Sequence, residues 1–527
     1  MRPACDETFL RAAALPFHPA QRSWVLAATI LGSSLAFIDG TVVNVALPAM
    51  QATFHANVVD LQWVVESYGL LLSALILVGG SLGDHLGIRK IFLIGVTLFA
   101  LASMACGLAG SIEMLIVSRS IQGIGAALLV PGSLALITTS FDEKRRGKAI
   151  GTWSGATAMT TAAGPVLGGW LVEHASWRWA FFINVPIAAA VIAISLLKIS
   201  ETRNRVQGTL DWLGAVLVTL GLAGVVVGFI ESTNLGWRSP IVIASLLTGV
   251  LALGAFVMVE RRASSPMVPP KLFASRDFAG ANEMTLFLYS AISVFFFFFP
   301  MNLIQAQGYS ASKAGAALLP LILLVFVLSR WSGGLVTRYG PRKPLILGPI
   351  VVAVGFVLFG RIGLSHNYWT SFFPAILVLG FGLALAVAPL TTVVMGSVPR
   401  ELVGTASGIN NAVSRVAGVL AIAVLGIVMV GAFGARLNSK IEALPMSAES
   451  REAIQSDVTK LGGLQAPTNL QPEVSREVNE SVRASFVDGF RMVMFICAGL
   501  AVVSALITAR MIGRDHQLQA KPSSAAR

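Results

Sequence analysis

The stretch GGSLGDHLGIRK, residues 79–90, separates two apolar runs and has a counterpart, GGLVTRYGPRKP, at residues 333–344. Gly87 aligns with Gly340, an offset of 253 residues. The repeat predicts an internal duplication in which spans 1–6 match spans 9–14, with spans 7 and 8 inserted between them. Parallel halves of this kind are one architecture of secondary transporters, and they hold the substrate between them near the middle of the membrane.

The composition is that of an integral membrane protein. Of the 527 residues, 55% are hydrophobic and only 12% are charged, whereas about a quarter of residues are charged in soluble domains. The net charge of +12 comes from Lys and Arg that lie between apolar runs. Nucleic-acid binding needs basic residues clustered on a solvated domain, so the sequence predicts no nucleic-acid partner.

Runs of about 20 apolar residues predict fourteen membrane spans, from 24–48 to 487–510. A cytoplasmic N-terminus puts most Lys and Arg in cytoplasmic loops, so both termini are predicted to be cytoplasmic. The fold class is therefore an all-α membrane protein with two six-helix bundles plus two inserted central helices. Its predicted parts are a cytoplasmic N-terminal segment 1–23, an N-terminal bundle 24–200, linker spans 7 and 8 within 201–278, a C-terminal bundle 279–512 that includes an extracytoplasmic loop 433–486, and a cytoplasmic tail 513–527.

Several classes of protein do not fit the sequence. It contains no GxxxxGK[ST] nucleotide motif, no H-E-x-x-H zinc motif and no sizeable soluble domain. Its three cysteines have neither paired nor metal-like spacing. We therefore predict neither an enzyme nor a metal site, and we keep a non-transporting membrane receptor as the alternative from another class.

Charged residues inside the apolar runs are the first candidates for function. Asp39 lies near the outer end of span 1, and an acid at the centre of a bilayer costs roughly 2.5–3.5 kcal/mol. It is either a proton carrier or an interfacial acid bonded to nearby backbone or to Asn44. Glu66 in span 2 is a second candidate proton or cation site, and Arg119 in span 4 needs a carboxylate, carbonyl groups or water as partners.

The loop at 79–90 resembles the span 2–3 signature of the major facilitator superfamily, GxLaDrxGrrr. The matching residues are Gly80, Leu82, Asp84, Gly87, Arg89 and Lys90. His85 and Ile88 stand where the family usually has Arg. The resemblance implies that this loop takes part in conformational gating, with a thinner cytoplasmic charge latch than usual.

Two more stretches resemble signatures of the same superfamily: RSIQGIGAA (119–127) resembles the span 4 signature RxxQGxGaA, and GATAMTTAAGPVLGG (155–169) resembles the antiporter signature of span 5. IDGTVVNVALP (38–48) and WRWAFFINVP (177–186) resemble motifs of the fourteen-span drug:proton antiporters of the EmrB/QacA type. The resemblance implies proton-driven export of amphipathic organic compounds or drugs across a bacterial inner membrane, with the proton gradient as energy source and no cofactor. Within the transporter class, export or symport of a specific metabolite or lipid stays open.

Roles for particular residues follow from charges inside apolar runs and from the resemblance. Proton coupling is assigned to Asp39, Arg119 and Glu66 because they are charged residues within spans, and the resemblance makes Arg119 the proton-relay arginine. The predicted substrate cavity contains Asn44, Gln122, Asn410, Asn411 and Arg415. Gating is assigned to Gly80, Asp84, Gly87 and Arg89, and to Gly155, Gly164, Pro165, Gly168 and Gly169 of span 5.

The glycines and the proline of span 5 have two interpretations that do not exclude each other. Gly164-Pro165 permits a helix bend that seals one side of the transporter, and the glycines permit tight helix packing. Arg415 in the cavity would repel cations or attract anions.

VFFFFFP (294–300) offers aromatic surface to a drug or, equally well, faces lipid. The outer segment is interpreted as a solvated cap of short amphipathic helices. We expect a monomer that works in the lipid bilayer, and a periplasmic adaptor is left open as a partner.

Overall fold

The structure is a computed structural model that describes residues 19–201, 211–263, 266–364, 367–399 and 402–513. The predicted terminal segments, 1–23 and 513–527, lie almost entirely outside these residues. The ends of the helices are called inner and outer below, after the orientation predicted from Lys and Arg.

Fourteen long helices form the described part of the chain. They are α1 (Pro19–Phe54), α2 (Val58–Leu86), α3 (Ile88–Gly107), α4 (Ile112–Ser140), α5 (Glu143–His174), α6 (Asn184–Lys198), α7 (Trp212–Leu235), α8 (Pro240–Arg262), α9 (Arg276–Met301), α10 (Leu319–Tyr339), α11 (Arg342–Phe359), α12 (Tyr368–Gly396), α13 (Val403–Ile441) and α14 (Pro472–Met511). Thirteen helical segments in the described residues are long and apolar enough to cross a membrane. The remaining long helix, α5, is 32 residues long, but glycine and threonine dilute its hydropathy. The prediction of an all-α membrane fold is confirmed.

The two halves use the same helix pairings. In the first half α2 and α3 pack on α4, and α1 packs on α5 and α6. In the second half α10 and α11 pack on α12, and α9 packs on α13 and α14. Each pairing recurs eight helices later, which is the arrangement that a duplication with two inserted helices produces.

The two repeated loops end their helices in the same way. Gly87 follows α2 with φ 113°, and Gly340 follows α10 with φ 73°. Both values lie in the region that glycine enters without steric cost. The aligned glycines are therefore explained by the backbone: each lets the chain leave one helix and start the next within two residues.

Side-chain caps fix several helix starts, because the first backbone N–H groups of a helix have no partner within it. Asn57 and Asp60 form a reciprocal capping box at the start of α2. Ser111 caps α4, and Ser275 caps α9. These polar residues at the ends of apolar runs fix where α2, α4 and α9 begin, and α4 carries Arg119 and Gln122.

Helices of both halves meet at two seams. At one seam α5 packs on the short helix Ala311–Ala317, which leads into α10. At the other, α2 packs on α13, and the inserted helix α7 contacts both of them. Helix α7 therefore covers the α2–α13 seam, and α8 packs on α7. Neither helix forms part of the two bundles.

The outer segment differs from the prediction. Helix α13 continues to Ile441 and α14 begins at Pro472, so the loop is 442–471 rather than 433–486. It contains a helix, Ala448–Ser456, and a 3-10 turn, Val458–Gly463. The turn packs against α1, α2, α13 and α14, so the segment is not only a solvated cap.

Four of the five phenylalanines in the run 294–300 lie in the protein core, which neither interpretation predicted, and Phe296 is half-buried. Phe295, Phe297, Phe298 and Phe299 are almost completely buried. Phe295 stacks on Phe299 with ring centroids 4.7 Å apart, and both rings contact others of the C-terminal core. Aromatic rings carry a large buried apolar area, so this run stabilises the C-terminal bundle.

Candidate functional site

A buried ion pair lies in the middle of the N-terminal half. Asp39 of α1 is completely buried, Arg119 of α4 is 1% exposed, and Nη1 of Arg119 donates to Oδ2 of Asp39. Asp39 is roughly 30 Å from the start of α1 and roughly 22 Å from its end, at 1.5 Å per residue. Because α1 runs beyond the predicted span, the acid lies deep in the bundle and not at the outer interface.

Two amides complete the shell around the carboxylate. Nε2 of Gln122 and Nδ2 of Asn184 donate to Oδ1 of Asp39 at 2.8 and 3.3 Å. The hydroxyl oxygen of Ser103 accepts from the same two amides at 3.2 and 2.9 Å. Gln122 was expected in the substrate cavity, and it lies here with no exposed surface.

The guanidinium of Arg119 makes further contacts besides the ion pair. Its Nε donates to the carbonyl oxygen of Val64 at 3.0 Å, and its Nη1 donates to Oε1 of Gln122 at 2.7 Å. Its carbon Cζ lies 4.3 Å from the centroid of the Tyr68 ring, within the range of a cation–π contact. Arg119 therefore joins α4 to both α1 and α2.

Two members of this network are not among the sequence-predicted site residues. Ser103 and Asn184 come from α3 and the start of α6. Asn184 is the Asn of the stretch WRWAFFINVP, which resembles a motif of the antiporter group, so the sequence contained a signal for this residue. Nothing in the sequence around Ser103 singles it out from other serines in apolar runs.

Glu66 is buried without a partner. Its side chain is 1% exposed, and neither carboxyl oxygen has a hydrogen bond within the described residues. It lies one turn from Gln62 and from Gly69, which contact Ile422 and Val419 of α13. Residues three and four apart share a helix face, so Glu66 lies at the α2–α13 seam and not beside Asp39.

The predicted cavity residues of α13 point in different directions. Nδ2 of Asn410 donates to Thr285 and Asn282 of α9 at 2.7 and 3.2 Å, so this amide fastens α13 to α9. Asn411 is exposed, and Arg415 is half-buried. Asn411 and Arg415 are four residues apart and therefore share a face.

Arg415 approaches the ion-pair network from the opposite half. Val419, one turn after Arg415 on α13, lies close to Gly69 of α2, which follows Tyr68, the ring that covers Arg119. On α1, Asn44 is half-buried and its Nδ2 lies 3.4 Å from the carbonyl oxygen of the exposed Gly40. Asn44, Asn411 and Arg415 thus keep accessible surface, unlike the buried pair.

Polar contacts join the two halves of the protein at their outer ends. Nε2 of Gln305 donates to Oε1 of Gln51 at 2.7 Å, and Nε2 of Gln51 donates to the carbonyl oxygen of Lys460 at 2.9 Å. Oε2 of Glu173 accepts from the backbone N–H of Ser312 at 3.0 Å. These contacts join α1 and α5 to the second half at its outer end.

The glycine-proline motif of α5 lies at this closed end. A Cβ on Gly169 would overlap the carbonyl oxygen of Ala311, and a Cβ on Gly315 would overlap that of Pro165. The two backbones touch because both positions lack a side chain. Gly155, by contrast, has open space around it.

Pro165 leaves one carbonyl group of α5 without its helical donor, because proline has no N–H. The freed carbonyl is that of Thr161, four residues earlier. The hydroxyl of Thr41 in α1 lies 3.4 Å from this oxygen and also within hydrogen-bond distance of its own helix. The proline therefore creates a polar contact between α1 and α5 close to Asp39.

The inner side carries an apolar cavity of about 330 Å³. It lies between the inner parts of α2, α9 and α13, and Leu77, Leu286, Ile409 and Val413 line it. Its size falls within the range of small-molecule sites. Closed outer contacts and open space on the inner side together describe an inward-facing arrangement.

The predicted gating loop between α2 and α3 is fastened within its own half. The guanidinium of Arg89 donates to the carbonyl oxygens of Ser195 and Leu196 at 2.9 and 3.0 Å. Oε1 of Glu201 accepts from the backbone N–H of Arg89 at 3.1 Å. Gly80 packs near Pro131 of α4, and Asp84, half-buried in the last turn of α2, has interaction partners.

Comparison with known proteins agrees with this geometry. The sequence profile of the Major Facilitator Superfamily matches residues 29–211 and 202–422. The chain is 34% identical over 496 residues to the tetracenomycin C resistance and export protein of Streptomyces glaucescens, with 92% of this chain and 91% of that protein covered. It is 33% identical to the multidrug resistance protein Stp of Mycobacterium tuberculosis, with 93% and 92% covered.

A solved structure with the same fold is that of a bacterial homologue of the human lysosomal transporter Spinster, in an inward-facing and unoccupied conformation. The TM-score is 0.64 at 18% identity, and the match covers 93% of this chain and 98% of that one. At this identity the likeness shows the fold alone.

Proposed function

We propose that this chain, which belongs to the Major Facilitator Superfamily, exports amphipathic organic compounds in exchange for protons. The family predicted from the sequence is confirmed, and the chain is a multi-pass membrane transporter, not an enzyme. Relatives that match over nine-tenths of their length are named for drug resistance or export. The observation that carries the proposal is the ion pair between Asp39 and Arg119, which is buried within the N-terminal half.

The contacts of the Asp39–Arg119 pair support proton exchange. As long as Asp39 is ionised, its charge is balanced by Arg119, and Gln122 and Asn184 satisfy its second oxygen. A proton on Asp39 removes the attraction that joins α1 to α4, while Arg119 keeps its bonds to Val64 and Gln122. The proton therefore changes the packing of α1, which also bears Thr41 and the α5 contact.

The remaining sequence-predicted assignments enter the proposal with these contacts as support. Substrate occupies the inner cleft beside Asn44, Asn410, Asn411 and Arg415, and Gln122 serves the proton network instead. The glycines around Gly164-Pro165 and the loop containing Gly80, Asp84, Gly87 and Arg89 control which side is open. The bundles are 24–200 and 279–512, with 201–278 as the linker spans, in a bacterial cytoplasmic membrane with both termini inside.

The function is tested in inverted membrane vesicles that contain the chain and a pH-sensitive dye. After respiration acidifies the lumen, adding a transported drug should release protons and restore the dye signal, because each drug entering the lumen exchanges for protons. A panel of amphipathic drugs is compared with vesicles from cells that lack the protein. A chain that binds these drugs but never moves protons is a receptor, and this result would contradict the proposal.

Glu66 is the proposed second proton site. An isolated carboxylate is far costlier to bury than a carboxylic acid, so the closed α2–α13 seam holds this side chain as the neutral acid. Glu66→Gln imitates that acid permanently, and we expect export to continue with fewer protons moved per drug. Proton and drug fluxes measured in the same proteoliposomes give this ratio.

Glu231→Gln is the matched control, because Glu231 lies at the same seam, where Trp63 donates to it at 2.7 Å. That hydrogen bond survives in the glutamine variant, so the flux ratio should equal that of the wild type. An unchanged ratio in Glu66→Gln would remove Glu66 from the coupling scheme.

A further inference from the structure

Arg415 is the only cation in the described middle of the bundle whose charge is unbalanced. Asp39 balances Arg119, and Glu66 has no partner in the described residues and lies at another face of α2. No hydrogen bond or ion pair joins the guanidinium of Arg415 to any residue in the described ranges. Arginine stays charged under all ordinary conditions, so the surroundings of Arg415 carry a net positive charge.

The surroundings of Arg415 fit a binding site rather than a structural bond. The side chain is half-buried, and Asn411, one turn earlier, is exposed on the same face. Ser414 lies beside them and also keeps accessible surface. Guanidinium groups recognise carboxylates and similar anions with two parallel hydrogen bonds, and none of these donors is engaged within the described residues.

Tyr68 lies next to this site. Its ring lies against Arg119 of the first half. The following residue, Gly69, lies close to Val419, which is one turn beyond Arg415 on α13. A negatively charged group bound at Arg415 would therefore lie where α2 of the first half meets α13 of the second half.

We propose that Arg415 binds an acidic group of the exported compound, so that the preferred substrates are amphipathic organic acids bound as carboxylates or phenolates. This inference rests on the proposed function, because it takes the cleft beside Arg415 as the substrate site. It adds the sign of the substrate's charge, since a bound anion neutralises Arg415 while the Asp39–Arg119 pair stays intact.

Two dyes with one ring system test the charge preference. Fluorescein is an anion with a carboxylate and a phenolate, and rhodamine 6G is a cation on the same xanthene skeleton. Binding to the full chain in lipid nanodiscs is measured by fluorescence anisotropy, with empty nanodiscs as the blank. We expect fluorescein to bind at least about tenfold tighter than rhodamine 6G, since a charge-assisted hydrogen bond contributes roughly that factor.

Variants of Arg415 separate recognition from folding. Arg415→Gln should lose the preference, and Arg415→Lys should keep part of it, because lysine keeps the charge but not the planar fork. Arg491→Gln is the control, since Arg491 is already bonded to the carbonyl oxygen of Gly360 at 2.8 Å and lies 3.6 Å from Asp488. Its dye preference should equal that of the wild type.

Three results would overturn the inference: no fluorescein binding by the wild type, tighter binding of rhodamine 6G, or an unchanged ratio in Arg415→Gln. None of them bears on proton-coupled export, because dye binding is measured without a proton gradient. Conversely, a chain that releases no protons with any drug fails as an antiporter, whatever its dye preference.

Discussion

Replacing Asp39 with asparagine is expected to abolish proton-coupled export. Asparagine keeps the size of the side chain and its hydrogen-bonding oxygen, but it can neither bind a proton nor balance Arg119. Removing one member of a buried ion pair costs about 3–5 kcal/mol of folding stability. In the vesicle assay, Asp39→Asn should give no proton release with any drug that the wild type transports.

A double variant separates lost coupling from lost stability. Asp39→Asn combined with Arg119→Gln removes both charges, so it should recover most of the thermal stability that the single variant loses. Export should still be absent, because no carboxylate remains in the network to carry the proton. If either variant exports drugs against a proton gradient at the wild-type rate, Asp39 is not the proton carrier.

Replacing Gly169 with alanine is expected to trap the transporter with its outer side open. The added methyl group would overlap the carbonyl oxygen of Ala311 only while the outer contact is closed. Overpacking of this kind costs about 1–3 kcal/mol, and 1.4 kcal/mol changes a population ratio tenfold. The inward-facing population should therefore fall about tenfold, and export should be lost.

A cysteine placed at Asn411, which is exposed on the same face of α13 as Arg415, reports this change. Cys106 and Cys497 are buried, and Cys5 is replaced by serine in the reporter chain. Labelling from the inner side with a membrane-impermeant maleimide should slow about tenfold in Gly169→Ala. Gly151→Ala, in the same helix but with open space around it, should label like the parent. Equal labelling rates in all three chains would show that the α5 contact does not control access.

Much of the architecture follows from sequence because it depends on patterns of local composition. Apolar runs predict the helices, and the pairing of Gly87 with Gly340 predicts the repeat, because a position with positive φ selects glycine in both copies. Helix ends are predicted less well. Helices α13 and α14 extend beyond the apolar runs, since helix formation continues into polar residues while the hydropathy signal stops.

The candidate site is only partly predictable, because its members come from four helices. Asp39 and Arg119 are conspicuous as charges in apolar runs, and their pairing is a plausible outcome of electrostatics. Ser103 and Gln122 become meaningful only when packing brings α3 and α4 beside α1. The phenylalanine run was misinterpreted for the same reason, since burial inside a bundle and exposure to lipid select the same side chains.

Leu461 gives the outer segment a mechanical consequence. It is completely buried, and its φ of 51° is rare for a residue other than glycine. Flanking Gly462 and Gly463 bring this turn against Gln305 and Gln51, which belong to opposite halves. The turn between α13 and α14 therefore touches both halves at the end where they are joined. Under the proposed alternating cycle, these contacts have to separate each time the outer side opens, so the outer segment adds to the free-energy cost of that step.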